Sequence, residues 1–247
     1  MSFRFKQFYI EDSKCAMKVG TDGVLLGAWA PTNPLTTNPL TRILDVGTGS
    51  GLIALMLAQR FPLAQIDAID MDEAAAEQAS NNFCSSPWTE RLHAYHSPFQ
   101  EWRMVNGKCP NGNYYDLIVS NPPYFQNSLK NPDKGRQTAR HTDTLSYAEL
   151  IKHSVRLLKE DGVLALILPA ESEKEVRGLA AAERLSLTRV TRVYSKENKK
   201  PKRVLLAFGK GISGLEVSGL EEDVLVLEDE KGGRSAAYSK LCQEFYL

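Results

Sequence analysis

Tyr115-Asp116-Leu117-Ile118-Val119-Ser120-Asn121-Pro122-Pro123-Tyr124 decides the fold of this 247-residue chain. Its first part is a short apolar run bounded by turn-forming residues, which reads as a buried strand. Pro122 and Pro123 end that strand, because proline donates nothing to a sheet ladder. Pro122 also pushes Asn121 away from the helical region toward an extended conformation. The result is a stiff strand tip that presents an amide side chain, free carbonyls and an aromatic ring. In an open α/β sheet, ligands sit at the carboxyl ends of strands. Such a corner suits a planar substrate with an exocyclic amino group. The Asn121 amide oxygen and the Pro122 carbonyl would each accept one N–H, while Tyr124 stacks on the ring. A lone Pro-Pro is ordinarily a stiffened loop, but here the preceding strand supplies the context that a functional motif requires.

Upstream, residues 42–46 read as the first core strand and residues 52–60 as a helix. Gly47-Thr48-Gly49-Ser50-Gly51 forms the turn between them, where glycines allow a sharp bend and close approach of a ligand to the helix start. A glycine-rich turn alone is a weak signal, but the spacing is Gly-x-Gly-x-Gly and Asp45 stands just ahead of it. Residues 65–70 form the second strand and end in Asp70, about 20 residues beyond the loop, where an acid meets ribose hydroxyls. Asp67 lies three back on the same strand, faces the other way and reads as structural. Asp72 caps a helix over 72–83, and 92–97 is a third strand followed by Pro98-Phe99. A helix over 144–160 carries Leu145, Ala148, Ile151, Val155 and Leu158 on one stripe. Residues 162–169, 186–194 and 203–208 are further strands, with a helix over 171–184. Strand alternating with helix up to 184, then two strands in succession, gives an α/β fold. Its seven-stranded sheet is mostly parallel with a reversed last strand, and helices cover both faces. Residues 3–9 suggest a strand or hairpin arm. Thr21 or Asp22 either caps a short helix over 23–29 or faces a cofactor. Residues 31–39, 106–113 and 125–141 read as loops, and 224–227 and 236–245 as a terminal strand and helix.

Composition is that of a soluble globular protein, with 43% hydrophobic and 24% charged residues. No apolar run approaches a membrane span, and the aromatic and basic N-terminus is unlike a signal peptide, so a cytoplasmic protein is expected. Cys15, Cys84, Cys109 and Cys242 lack paired spacing, and His93 and His96 point to opposite faces of a strand. No disulfide frame or metal site is expected. Net charge is zero, yet residues 192–203 carry six Lys/Arg against one Glu and residues 130–140 four against one Asp. Two basic segments flanking a pocket are compatible with phosphate contacts.

With the glycine loop, the ribose acid and Asn121-Pro122-Pro123-Tyr124 in this order, the chain resembles class I S-adenosylmethionine-dependent N6-adenine methyltransferases. Phe5-Lys6-Gln7-Phe8, the block from Met17-Lys18-Val19-Gly20-Thr21-Asp22-Gly23 through Trp29, Ser86-Pro87-Trp88 and Arg203-Val204-Leu205-Leu206-Ala207-Phe208 extend that resemblance. They make the chain similar to the bacterial enzymes that methylate N6 of adenine 37 in valine tRNA. The resemblance implies the Rossmann-like methyltransferase fold and S-adenosylmethionine as cofactor, with S-adenosylhomocysteine as product. It implies the anticodon arm of a tRNA as partner, with no obligate protein partner. Thr21, Asp22, Asp45, Gly47, Gly49, Gly51, Asp70, Ser97 and Phe99 would hold the cofactor, and Asn121, Pro122 and Tyr124 the target base. Arg136, Arg140, Lys199, Lys200 and Lys202 would meet phosphates. The family usually places an acid after the third strand for the cofactor's adenine. This chain has Ser97-Pro98-Phe99 instead, so adenine recognition would fall to Ser97, to backbone atoms or to packing on Phe99. The expected layout is an N-terminal extension over 1–40 on the cofactor site, a methyltransferase domain over 41–210 and a completing segment over 211–247. Asn-Pro-Pro-Tyr also serves release-factor glutamine N5-methyltransferases, which generally carry a helical domain ahead of the loop. The same residues are compatible with a ribosomal RNA guanine N2-methyltransferase and with an inactive S-adenosylmethionine-binding RNA module.

Overall fold

The computed structural model describes residues 2–31, 41–102, 115–123, 145–211 and 220–247. The N-terminal hairpin pairs β1 (Ser2–Arg4) with β2 (Tyr9–Glu11), and α1 (Thr21–Trp29) follows. Then come β3 (Arg42–Val46), α2 (Leu52–Arg60), β4 (Gln65–Asp70), α3 (Glu73–Cys84), β5 (Leu92–His96) and β6 (Tyr115–Ser120). The second half holds α4 (Tyr147–Leu157), β7 (Leu158–Pro169), α5 (Glu173–Ala182), β8 (Ser186–Tyr194), β9 (Arg203–Gly209), β10 (Glu221–Val226) and α6 (Ala236–Leu241). The main sheet runs in the order β5-β4-β3-β6-β7-β9-β8-β10. β9 is antiparallel to both β7 and β8, and every other pairing in this sheet is parallel. The seven expected strands are present with the reversed one inserted, and β10 adds an eighth along the edge of β8.

Consecutive residues of a strand point to opposite faces, and here both faces are apolar. Leu117 and Val119 of β6 join the core beneath α1 and α2, whereas Ile118 joins the core beneath α4 and α5. β7 repeats the division, with Val163, Ala165 and Ile167 on one side and Leu164, Leu166 and Leu168 on the other. Each such side chain removed from water contributes roughly 1.5–3 kcal/mol, which fixes the register, since a one-residue slip would exchange the two cores. α1 is buried along Gly23–Trp29 because it packs on the sheet at β7 with α2 and α6 against its flanks. The aromatic hairpin joins the C-terminal segment in the first core, where Phe5, Phe8, Tyr238 and Phe245 belong to one cluster.

Asp67 behaves as its side of β4 requires. It accepts hydrogen bonds from Arg42 Nη2 and Tyr115 Oη, each at 2.8 Å, and the Tyr115 hydroxyl in turn accepts from Trp102 Nε1 at 3.2 Å. Two local expectations are corrected. Gly20, not Thr21 or Asp22, caps α1, and no side chain caps it, so Thr21 and Asp22 belong to the first turn. α4 is shorter than residues 144–160 at both ends, and its buried stripe is Tyr147, Leu150, Ile151 and Ser154, leaving Ala148 exposed. The hydroxyl of Ser146 sets the start of α4 through a capping box with Glu149. The end follows because the chain enters β7 at Leu158. The loops expected over 106–113 and 125–141, and nearly all of that over 31–39, lie outside the described residues.

Two glycine substitutions test this packing with opposite signs. Gly51 sits at φ +83°, and a Cβ there would lie 2.5 Å from Phe83 Cε1. Gly51→Ala is therefore expected to lower unfolding free energy by about 2 kcal/mol or more. Gly178 lies within α5 with nothing within 4 Å of an added Cβ, so Gly178→Ala is expected to raise it by about 0.5–1 kcal/mol. Urea midpoints of the two variants check both signs.

Candidate functional site

A cleft of about 1060 Å³ opens at the carboxyl ends of β3, β4, β5 and β6, and is closed on one side by residues 15–23. Its floor is the glycine loop. The Gly47 and Thr48 amides donate to Ile69 O at 2.9 and 3.0 Å, which fastens the loop to the end of β4. Gly49 N donates to Asp70 Oδ2 at 2.9 Å, and Asp70 Oδ1 accepts from Asp72 N at the same distance. Gly47 and Gly49 have φ of +70° and +56°, and a Cβ on either would meet nothing within 4 Å. These two glycines need their left-handed backbone for the turn and leave open space on the cleft side.

Thr48 and Ser50 also line the cleft, whereas Gly51 and Asp45 face the protein. Gly51 is packed against Phe83 and Ala79 of α3 and does not line the cleft. Asp45, expected beside the cofactor, is fully buried beneath the loop and is also absent from the cleft wall. Its Oδ2 accepts from Thr48 Oγ at 2.7 Å and from Ala54 N at 3.2 Å, while Oδ1 is buried without a partner. The acid accepts from the loop and from the start of α2, and the third glycine packs on α3, so both brace the loop from behind. Burial pushes the Asp45 carboxyl up to about 7, against the lowering effect of the Thr48 and Ala54 hydrogen bonds.

Asn121 stands on the opposite wall at the tip of β6. Ser120 Oγ donates to Val46 O at 2.8 Å and ties this tip to that of β3. Asn121 Nδ2 lies 3.8 Å from Met17 Sδ, and Asn121 Oδ1 is buried with no hydrogen-bond partner. A thioether accepts and never donates, so Met17 selects the amide nitrogen as its neighbour and leaves the oxygen as a vacant acceptor. Leaving such a group unsatisfied costs about 1–3 kcal/mol, which an arriving donor would recover. Pro122 and Pro123 line the cleft beside it. Tyr124, Arg136 and Arg140 lie outside the described residues.

Sequence reasoning does not single out Met17, because an isolated methionine in an irregular segment carries no periodic signal. The segment that presents it is braced. Lys18 Nζ donates to the carbonyls of Asp12, Ser13 and Cys15 at 2.7, 3.3 and 2.9 Å, and Val19 N donates to Asp12 Oδ2 at 2.9 Å. Asn82 of α3 bonds the Glu11 backbone in both directions and also donates to Ser50 O at 2.8 Å, so hairpin, helix and glycine loop share one residue. Burial raises the Cys15 thiol to about 11, which keeps it protonated at neutral pH. Thr21 and Asp22 line the cleft, and Asp22 Oδ2 accepts from Arg203 Nε at 2.8 Å. Ser97 and Phe99 line the far end, with Phe99 edge-on to His153 at 5.9 Å.

The basic connection between β8 and β9 is partly neutralised. Arg192 pairs with Glu173 and Glu222, Lys196 with Glu228, and Arg203 with Asp22. Lys199, Lys200 and Lys202 are exposed and have no ion-pair partner among the described residues. Among the described residues, no three His, Cys, Asp or Glu side chains gather as a metal site, and no helix is long and apolar enough to cross a membrane.

A family model described as "Methyltransferase small domain" matches residues 30–182. The chain is 46% identical over 246 residues to a tRNA1(Val) (adenine(37)-N6)-methyltransferase of Parabacteroides distasonis, covering 99% of this chain and 97% of that one. It is 43% identical over 245 residues to a protein of the same name from Flavobacterium psychrophilum, covering 99% of each. Among solved structures, a predicted O-methyltransferase from Agrobacterium tumefaciens superposes with a TM-score of 0.66 at 17% identity, covering 91% of this chain and 96% of that one. That last likeness concerns the fold alone.

Asp45 gives this site a pH dependence of known sign. Its folded pKa lies above the unfolded value of about 3.9, so the native state binds the extra proton. That contribution is full below about pH 4 and is lost as pH rises through about 7. Asp45→Asn, which cannot ionise, is expected to flatten this decline of stability between about pH 4 and 7. Urea unfolding of both proteins across that range tests it, and parallel curves would contradict the assignment.

Proposed function

The chain belongs to the family of tRNA1(Val) (adenine(37)-N6)-methyltransferases, and from that membership and the shape of its cleft we propose that it transfers a methyl group to N6 of adenine 37 in the anticodon loop of a valine tRNA. S-adenosylmethionine is the proposed donor and, when bound, supplies an electrophilic methyl on a sulfonium. The cleft suits it: Gly47 and Gly49 leave a cradle that any side chain would fill. A volume of about 1060 Å³ stands at the top of the roughly 300–1,000 Å³ range of small-molecule pockets, in keeping with a large cofactor. Asp70, Thr21, Asp22, Ser97 and Phe99 are the further proposed cofactor residues. Asp70 already holds Gly49 and Asp72, but each carboxylate oxygen has a second lone pair for a ribose hydroxyl.

The single observation that carries the reading is the partnerless Asn121 oxygen on the wall facing the glycine loop. An adenine amino group is a poor nucleophile because its lone pair is delocalised into the ring. Asn121 Oδ1 and the Pro122 carbonyl, each accepting one amino hydrogen, would pull that nitrogen toward a geometry with its lone pair aimed across the cleft. The excess proton leaves to water, so no dedicated base is required, and positioning carries most of the rate. Tyr124, placed by the motif next to Pro123, is the proposed stacking surface for a base withdrawn from the loop, where unstacking costs only a few kcal/mol. Lys199, Lys200 and Lys202, with Arg136 and Arg140 from the segment after the motif, are the proposed phosphate contacts. The proposed setting is the cytoplasm.

Labelled methyl transfer to a tRNA1(Val) transcript, to the same transcript with guanine at position 37, and to release factor separates this reading from its rivals. Label is expected on the first alone; label on release factor, or on none, would replace the reading. Asn121→Ala is expected to lower kcat by about 10²-fold or more while cofactor affinity stays nearly unchanged. Replacing Lys199, Lys200 and Lys202 with Ala is expected to raise KM for tRNA. It should also flatten the log–log salt dependence of binding by about 0.7–0.9 per lost contact.

A further inference from the structure

Met17 reaches the cleft from a segment whose backbone is tied down by the protein's own groups. Asp12 is buried; its Oδ2 accepts from Val19 N at 2.9 Å and its carbonyl accepts from Cys15 N at 3.2 Å. Lys18 Nζ donates to the carbonyls of Asp12, Ser13 and Cys15. Ser13 Oγ and Lys14 N donate to Gln78 Oε1 of α3 at 3.2 and 3.4 Å, which anchors the segment to the main fold. Met17 itself is 45% exposed, so these polar contacts place it, not burial in a core. Its sulfur lies 3.8 Å from Asn121 Nδ2, and both residues line the cleft.

A carboxamide has two orientations of nearly equal shape, because a half-turn about its terminal bond exchanges oxygen and nitrogen. The two are opposite in chemistry. With the oxygen free, the tip of β6 accepts an N–H from an amino group; with the nitrogen free, it would set one donor against another. A thioether has lone pairs and no proton to give, so its place beside one end of the Asn121 amide favours the nitrogen at that end. The oxygen is then the free end, buried with no hydrogen-bond partner among the described residues. The geometry points to Met17 as a positioning residue: its sulfur holds the Asn121 amide in the orientation that accepts, and so sets the corner's preference for an amino group over a carbonyl. Sulfur is a weak acceptor, so the effect lies in the choice between two orientations and not in overall stability. The inference rests on the methyl-transfer reading above and assigns Met17 an effect through Asn121 alone.

Two measurements on the full chain with tRNA1(Val) transcripts test it. The first is a double-mutant cycle on labelled methyl transfer. Met17→Leu keeps a side chain of similar volume and removes the acceptor. It is expected to lower kcat about three- to tenfold and to leave affinity for S-adenosylhomocysteine within about twofold. In the Asn121→Ala background the same substitution should change the residual rate by less than about twofold, because no amide remains to be oriented. The second measurement is binding, with S-adenosylhomocysteine present, of transcripts carrying adenine or inosine at position 37. Inosine offers a carbonyl where adenine offers an amino group. The unaltered protein is expected to prefer the adenine transcript by about fivefold or more. Met17→Leu should narrow that preference to within about twofold, since the released amide can turn an N–H to the carbonyl. Equal loss of rate in both backgrounds, or a transcript preference untouched by the substitution, overturns the proposal. An unaltered protein that labels no adenine 37 sinks the methyl-transfer reading. One that labels it while Met17→Leu behaves identically sinks this proposal alone.

Discussion

Burial of both faces of the central strands is the constraint on which the rest of this molecule depends. β3, β6 and β7 send alternate residues into two separate apolar cores. Their backbone groups must therefore be paired along the ladder, and no ligand can reach the sheet from either side. The strands become available only at their carboxyl tips. There β3 bends into a turn with φ of +70° and +56° at Gly47 and Gly49, and β6 meets Pro122 and Pro123. The Ser120 hydroxyl bonded to Val46 O keeps the two tips together. A cleft between a cradle of amides and a stiff amide-bearing corner follows from these facts, whatever ligand it takes.

The acids around this cleft divide the work of holding it. A turn that frees several N–H groups needs acceptors, and three carboxylates are close. Asp45 takes Ala54 N and Thr48 Oγ from below, Asp70 takes Gly49 N from the side, and Asp22 pairs with Arg203 at the rim. Burial separates them. Asp45 is sealed off, and its raised pKa reflects that cost. Asp70 and Asp22 remain on the wall. An acid adjacent to a glycine motif is thus as much part of the loop's own scaffold as a ligand-binding group.

The fold is largely legible in the sequence because its signals are local. Short apolar runs bounded by turn-forming residues mark β3 and β6, and the observed bounds of β3, α2, β4 and β8 are those expected. Strand parity makes Asp67 structural, and its bonds to Arg42 and Tyr115 agree. Features set by distant contacts are less legible. Asp45 and Gly51 sit within a ligand-binding motif, but Gly51 is turned away from the cleft by Phe83 and Ala79 of α3, more than two dozen residues away. The pattern over 144–160 overstates α4 because an apolar stripe does not say where the chain stops being helical and enters β7. Met17 gains its meaning only from a cleft neighbour far along the chain, Asn121, so no window of sequence marks it.

The same long-range contacts join the two surfaces that a methyl transfer to RNA must coordinate. Arg203 opens β9 at the base of the lysine-bearing connection, where Lys202 N donates to Val193 O and Ala170 N donates to Lys202 O. Its guanidinium reaches Asp22 in the first turn of α1, on the wall of the cleft. The pair is only partly buried, with side-chain exposures of 29% and 22%, so its direct share of stability is small. Its consequence is geometric. The basic connection and the cleft wall at Asp22 are registered to one another through this charged hydrogen bond and through the apolar core that α1 shares with β8 and β9. A substrate that engages Lys199 and Lys200 therefore meets a cleft whose depth and orientation are already set relative to those lysines.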